Sequence, residues 1–303
     1  MDSDTHLQEA LDEYNRRVAE LEDSGTPQEL LEAYINRGTV LMMMDYSVAA
    51  VSDFDEAVDM ILEMESHGYR PDLGLFIRAY ENRGQMCCGS DDETMASDYA
   101  RIADRLPQLT SGVRYFKTKD IVQMCINCAE DLLDEGYFEN SVPFLEKAIT
   151  TLHGKYDAWA QNRVTEAESL YGEACEGRCM HTEAAEHYTN AILSGTPLYE
   201  SRRSDNRYQL ILDRVARGDI RQHEGDGNGF IEDYREAARL LEDMLRTGES
   251  DDSELYVTIC QGIAAEYMEK GLVEDSEKYL IKAMKFSNPE MRKAMADMGL
   301  QRP

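Results

Sequence analysis

A small residue stands nineteen positions ahead of an alanine six times along the chain, in the pairs Gly38/Ala57, Gly84/Ala103, Ala129/Ala148, Gly172/Ala191, Gly218/Ala237 and Ala264/Ala283. Successive alanines are 46, 45, 43, 46 and 46 residues apart, so a rigid unit recurs through connectors of variable length. That is the signature of a solenoid, in which each unit buries its apolar side only against its neighbours. Two units share wording, Ala33-Tyr34-Ile35-Asn36-Arg37-Gly38 and Ala79-Tyr80-Glu81-Asn82-Arg83-Gly84. Function is therefore expected on a repeated surface.

Within each unit the apolar residues recur at helical spacing, broken near the middle by turn signals such as Gly89-Ser90-Asp91-Asp92, Glu135-Gly136, Gly177 and Lys270-Gly271. Each unit reads as two helices joined by a tight turn. Close helix crossings need small side chains, which the Gly/Ala pairs supply. Ala50, Phe54 and Ala57 recur as Ala184, Tyr188 and Ala191, and Leu145 and Leu280 take the aromatic's place in the third and sixth units.

This pattern resembles the tetratricopeptide repeat, with its small residue in the first helix and its A-x3-F motif in the second. Tyr34, Gly38, Ala50, Phe54 and Ala57 fill its slots in the first unit, and Tyr80, Gly84, Ala96 and Ala103 in the second. The resemblance covers about residues 27 to 288. It departs from the family at Ala129, Ala264, Ser141, Ser276 and Phe230, and in its long period, for which repeats of the kinesin light chain type are the nearest variant. It implies an all-α, right-handed α-solenoid of about six repeats, over approximately 26–70, 71–112, 113–155, 156–200, 201–250 and 251–288. Breakers in Ser66–Asp72 and Ser194-Gly195-Thr196-Pro197 are expected to lie in connectors. Residues 1–25 hold an N-terminal capping helix with Leu7, Leu11, Tyr14, Val18 and Leu21 on one side. Residues 289–303 read as a C-terminal capping helix that begins at Asn288-Pro289.

A formal charge of -29 argues against nucleic acid and anionic membrane as partners, because both need a cationic face. The same charge also serves to keep an exposed array in solution. No apolar run reaches the ~20 residues of a membrane span, and the start Met1-Asp2-Ser3-Asp4 lacks a basic leader, so a cytoplasmic location is expected. Seven cysteines is an odd number and does not suggest a disulfide framework. They are read as buried, reduced thiols.

Glu224 to Arg235 resembles an EF-hand loop through Asp226, Asn228, Gly229 and Ile231, but Glu224 replaces the first aspartate and Arg235 the bidentate glutamate. Glycines serving a wide turn are the expected explanation. Cys125/Cys128 and Cys175/Cys179 with His181 lack the four converging ligands of a zinc site. There is no phosphate loop and no nucleophile elbow, so no catalytic residue, metal or cofactor is expected.

In tetratricopeptide arrays the first helix of each pair lines a concave groove. The resemblance places Ile35, Met42, Met43, Arg78, Glu81, Asn82, Ile126, Glu130, Leu133, Asp134, Glu166, Glu173, Glu176 and Asp219 there, along with Glu32 and Glu269. Arg78 is the single cation among them. An acidic groove with an apolar entry suits a basic peptide or helix. The carboxylate clamp for acidic chaperone tails does not fit, because Ile35, Thr39, Gln123 and Asn127 stand at its sites and only Asn82 matches. The expectation is a non-enzymatic protein-interaction scaffold or adaptor. A ligand- or calcium-responsive sensor using the 224–235 loop, and a fixed subunit of a larger complex, remain as alternatives.

Overall fold

The computed structural model describes residues 3–201 and 207–286, and among them every regular element is helical. The chain divides into two compact units, 1–153 and 154–303. The first contains α1 (Ser3–Ser24), α2 (Pro27–Met43), α3 (Ser47–Ser66), α4 (Leu73–Cys87), α5 (Asp92–Ala103), a 3-10 turn at Leu106–Gln108, α6 (Thr118–Asp134) and α7 (Phe138–Leu152). There α2 packs on α3, α4 on α5 and α6 on α7, while α1 lays Leu7, Leu11 and Tyr14 on Val40, Leu41 and Phe54 of the first pair. The second unit pairs α8 (Ala158–Gly177) with α9 (His181–Glu200), α10 (Gln209–His223) with α11 (Gly227–Thr247), and α12 (Ser253–Glu269) with α13 (Val273–Phe286). The closing helix expected at 289–303 lies outside the described residues.

Five of the pairs turn in the same way. The middle residue of a three-residue turn is left-handed (Asp45, Gly136, Cys179, Gly225 or Gly271), and the residue after it donates its N–H back across the turn, as from Tyr137 to Leu132 O at 2.7 Å. This satisfies carbonyls that the helix end leaves open. Among the helix starts, Asp72, Asp91, Asp157, Asp226 and Asp252 accept backbone N–H groups as N-caps, and Thr26 closes a capping box with Glu29.

At the crossings the small residue lies under a side chain of the second helix. A Cβ built on Gly38 would stand 2.6 Å from Phe54 Cε1, on Gly172 2.6 Å from Tyr188 Cε1, and on Gly218 2.8 Å from Tyr234 Cδ2. Gly84 is closed in the same way by Tyr99. Where alanine replaces glycine, at Ala129 and Ala264, leucine replaces the ring, as Leu145 and Leu280. The two substitutions compensate, since a smaller partner leaves room for a methyl group.

The second pair departs from the nineteen-residue spacing. Its glycine meets a ring fifteen positions on rather than sixteen, because α4 ends early and the turn to α5 takes four residues. Ile102, fully buried, therefore stands where Ala57 stands in the first pair, and Ala103 is only half-buried. The pairing of Gly84 with Ala103 is thus corrected by one residue. The segment Ser194–Pro197, expected as a connector, continues α9. Pro197 has no N–H to donate to the carbonyl of Leu193, a residue 68% exposed where water can serve instead, and buried Gly195 lets Thr165 and Leu210 approach.

A second device recurs beside the glycine. Arg37 forks onto Asp53 (2.8 and 2.7 Å), Arg83 onto Asp98 (2.8 and 2.6 Å), and Arg217 onto Asp233, and all three aspartates are buried. Each bidentate pair ties the second helix to the first with fixed geometry. In the fourth pair Tyr171 and His187 take these places as stacked rings 3.8 Å apart.

Candidate functional site

Helices α2, α4 and α6 carry the groove residues expected in the first unit, and the structure sorts them into buried and accessible. Ile35 and Ile126 are fully buried and Leu133 is 5% exposed, so these three belong to the core and not to a groove. A first helix inside a stack is covered by its own partner and by the neighbouring pair, and its apolar stripe is wider than one face. Met42 is half-buried with the side chains of α1, and Met43 is 63% exposed. Asn82 donates to Thr39 Oγ1 at 3.2 Å and Arg78 to Asn36 Oδ1 at 3.1 Å, so both link α4 to α2.

Part of this face is filled by the chain itself. The long connector between α5 and α6 brings Arg114 to Glu32 at 2.8 Å, and the Tyr115 hydroxyl donates to the same carboxylate. The Arg78 guanidinium lies 4.9 Å from the Tyr115 ring centroid. The expected lone cation of the groove is therefore covered by an aromatic ring and lowered in basicity by burial.

Beyond this contact the α4 and α6 surface gathers carboxylates. Glu81 is half-buried, and its acid is pushed up to about 7 by desolvation and by Asp131, against the pull of Arg78. Asp131 is raised by burial and by Asp134, and accepts the Tyr99 hydroxyl at 2.5 Å. Exposed Glu135 is raised by Asp92 and Asp134. At Glu81 and Asp131 burial is the larger cause and a neighbouring carboxylate adds to it, whereas at Glu135 the neighbouring Asp92 leads. Glu130 and Asp134 flank the group on α6, half-buried and exposed respectively. Asp131, Glu135 and Asp92 were not among the expected site residues. The run Glu130-Asp131 followed by Asp134-Glu135 was the available signal.

In the second unit the expected carboxylates have internal duties. Glu166 pairs with Arg163 at 2.7 Å, Glu176 accepts the Tyr188 hydroxyl at 2.5 Å, and Asp219 accepts that of Tyr234. Glu173 and Glu269 are exposed. Two of these carboxylates therefore hold the rings that close the glycine crossings.

Helix pairs joined by a tight turn, with the glycine of one helix under the ring of the next and a buried alanine three residues beyond that ring, are now seen in the first, fourth and fifth pairs. These pairs have the crossing that the tetratricopeptide resemblance implies. Solved structures that match it include the MamA protein, at 17% identity over 76% of this chain and 99% of that one, with a TM-score of 0.48. A tetratricopeptide repeat protein from Parabacteroides merdae matches at 12% identity over 97% of this chain and all of its own, with a TM-score of 0.39. A Rap protein complexed with competence and sporulation factor matches at 12% identity over 98% and 88%, with a TM-score of 0.39. No protein-family model matches the sequence, and no curated protein matches it significantly.

The array also accounts for the calcium-like motif. Only Glu224, Gly225 and Asp226 form a turn, and α11 begins at Gly227, so most of the twelve positions are helical and cannot wrap an ion. Asp226 is the N-cap, accepting Gly229 N–H at 2.9 Å, Gly225 is left-handed, and Gly227 gives room to Glu266. A calcium loop at 224–235 is thereby contradicted. All seven cysteines are free thiols; Cys87, Cys125, Cys128, Cys175 and Cys260 are buried, but Cys88 is half-buried and Cys179 exposed, which corrects the expectation of uniform burial. Among the described residues no group of three or more His, Cys, Asp or Glu side chains is placed to hold a metal ion.

Proposed function

We propose that this array is a non-enzymatic interaction scaffold, and that the α4–α6 face of its first unit receives a basic segment of a protein partner. The observation that carries this reading is the crowding of carboxylates at Glu81, Asp131, Asp134 and Glu135: the acids of Glu81 and Asp131 are raised by burial and then by a neighbouring carboxylate, and that of Glu135 by Asp92 and burial. A cation placed among them relieves that repulsion, so differential binding is built into the unliganded face. Exposed Met43 on α2 adds apolar surface. The overall charge of -29 favours a basic partner over nucleic acid or an anionic membrane, and the free thiols suit a reducing, cytoplasmic setting.

The reading predicts proton release. Glu81, pushed up to about 7, is partly protonated at neutral pH and loses that proton when a cation docks beside it. Calorimetric titration with a basic amphipathic helix, in buffers of different ionisation enthalpy at pH 7, measures the release directly. Binding should weaken with salt and be lost in the triple variant Glu81→Gln, Asp134→Lys, Glu135→Lys. Reversal of Glu56, Asp59 and Glu146, outside the first helices, should leave it in place. Equal loss in both variants would assign the effect to net charge and remove the site.

A further inference from the structure

The second unit contains a concave site of opposite polarity. A cleft of about 810 Å³ opens between α11 and the α12–α13 hairpin, within the range of ligand pockets. Five of its twelve lining residues are Arg or Lys, in a chain where those residues number 31 of 303, and only two are acidic. Such a local inversion runs against a net charge of -29.

The cations are also short of counter-charge. Buried Asp233 is already taken by the fork of Arg217 and by Arg221 at 2.8 Å, which leaves Arg214 no closer than 3.7 Å. The Arg214 side chain is 12% exposed, lines the cleft, and its buried Nε has no hydrogen-bond acceptor. Arg239 is neutralised by Glu236 and Lys270 by Glu266. Arg235 and Lys282 have no carboxylate partner among the described residues; Lys282 stands 5.0 Å from the Tyr279 ring centroid. Arg235 and Lys282 thus bring positive charge without a carboxylate partner among the described residues, and Arg214 adds a guanidinium that has only a long share of an aspartate already held by two others, the three standing on three different helices.

We propose that this cleft binds an acidic peptide segment of a second protein, making the scaffold bivalent with sites of opposite sign. Cations spread over α10, α11 and α13 suit a ligand with several carboxylates along its length better than a single compact anion. The chain's own segments are poor candidates: residues 287–303 hold two acidic residues against three basic ones, and residues 202–206 one against two. The proposal does not depend on the acidic face of the first unit.

The test uses the full chain and fluorescently labelled hexaglutamate, read by anisotropy, with hexalysine and tripolyphosphate as further probes. Hexaglutamate should bind in a salt-sensitive way, and the double variant Arg235→Glu, Lys282→Glu should weaken it by about tenfold or more. Both side chains lie at the surface of the cleft; the milder Arg235→Gln, Lys282→Gln variant, checked by circular dichroism, should give an intermediate loss. Asp134→Lys, Glu135→Lys should not weaken it. Absence of hexaglutamate binding, or equal binding by wild type and the double charge reversal, would overturn the site. Binding of tripolyphosphate alone would replace the peptide by a small phosphorylated ligand and overturn the assignment of partner.

Discussion

The link between a bare glycine and a ring at the crossing can be measured in the first pair, where Phe54 has no hydroxyl to complicate the result. In Gly38→Ala the new Cβ meets Phe54 Cε1 at 2.6 Å and two further ring carbons at 3.0 Å, and Phe54 is fully buried. The ring must move by most of an ångström in a packed interior, which costs about 1–3 kcal/mol. Alanine's helix propensity returns about 1 kcal/mol, so a net loss of up to roughly 2 kcal/mol is expected. Phe54→Leu alone should cost about 1–2 kcal/mol through lost volume. The double variant recreates the Ala129/Leu145 combination, and should lie about 1 kcal/mol or more above the sum of the singles. Urea denaturation supplies the energies, and hydrogen exchange over α2 and α3 localises them, because stacked repeats need not unfold as one. A stabilised Gly38→Ala, or singles that add within about 0.5 kcal/mol, would refute the interlock.

Other consequences follow from single residues. The acid of Asp213 is fully buried and pushed up to about 6 by desolvation, against donors from Ser169 and Gln209. The folded state holds this proton more tightly than the unfolded state, so stability falls as pH rises from about 4 to about 6. Asp213→Asn should remove that slope and gain on the order of 3 kcal/mol at pH 7, the energy of about two pKa units; a pH-independent loss would contradict it. Cys179 is exposed in a left-handed turn (φ 58°), where glycine fits better. Cys179→Gly should therefore stabilise by about 1 kcal/mol, and in the wild type a thiol reagent should label this cysteine first; faster labelling of Cys125 or Cys128 would count against the packing.

The crossings were legible in the sequence because a steric constraint acts there at fixed helical spacing. The alanine nineteen residues on was a weaker marker than the ring. Ala96 and Ala103 fell into register by composition, while Met95 and Ile102 occupy the buried positions. A better signal lay in the text of three units: Arg-Gly followed fifteen or sixteen residues later by Asp and an aromatic, as Arg37-Gly38 with Asp53-Phe54, Arg83-Gly84 with Asp98-Tyr99, and Arg217-Gly218 with Asp233-Tyr234. The groove was less legible. Periodicity shows that Ile35 and Ile126 are apolar on a helix but not how many neighbours cover them, and nothing periodic encodes the path that brings Arg114 and Tyr115 back onto Glu32.

The buried Arg–Asp fork also explains how so acidic a chain comes to hold local charge of either sign. At Arg83 the buried Asp98 takes the fork and Asp55 a further contact, so no positive charge is left over there, and the end of the next first helix carries Glu130, Asp131, Asp134 and Glu135. In the fifth pair the same buried aspartate position draws in Arg214, Arg217 and Arg221, three guanidiniums to one carboxylate. A buried charge left without its full complement is costly, and here the surplus lies beside a cleft open to solvent. Solubilising charge alone would have no reason to be sorted in this way within each unit. The sorting is what a scaffold needs if its faces are to select partners by the sign of their charge.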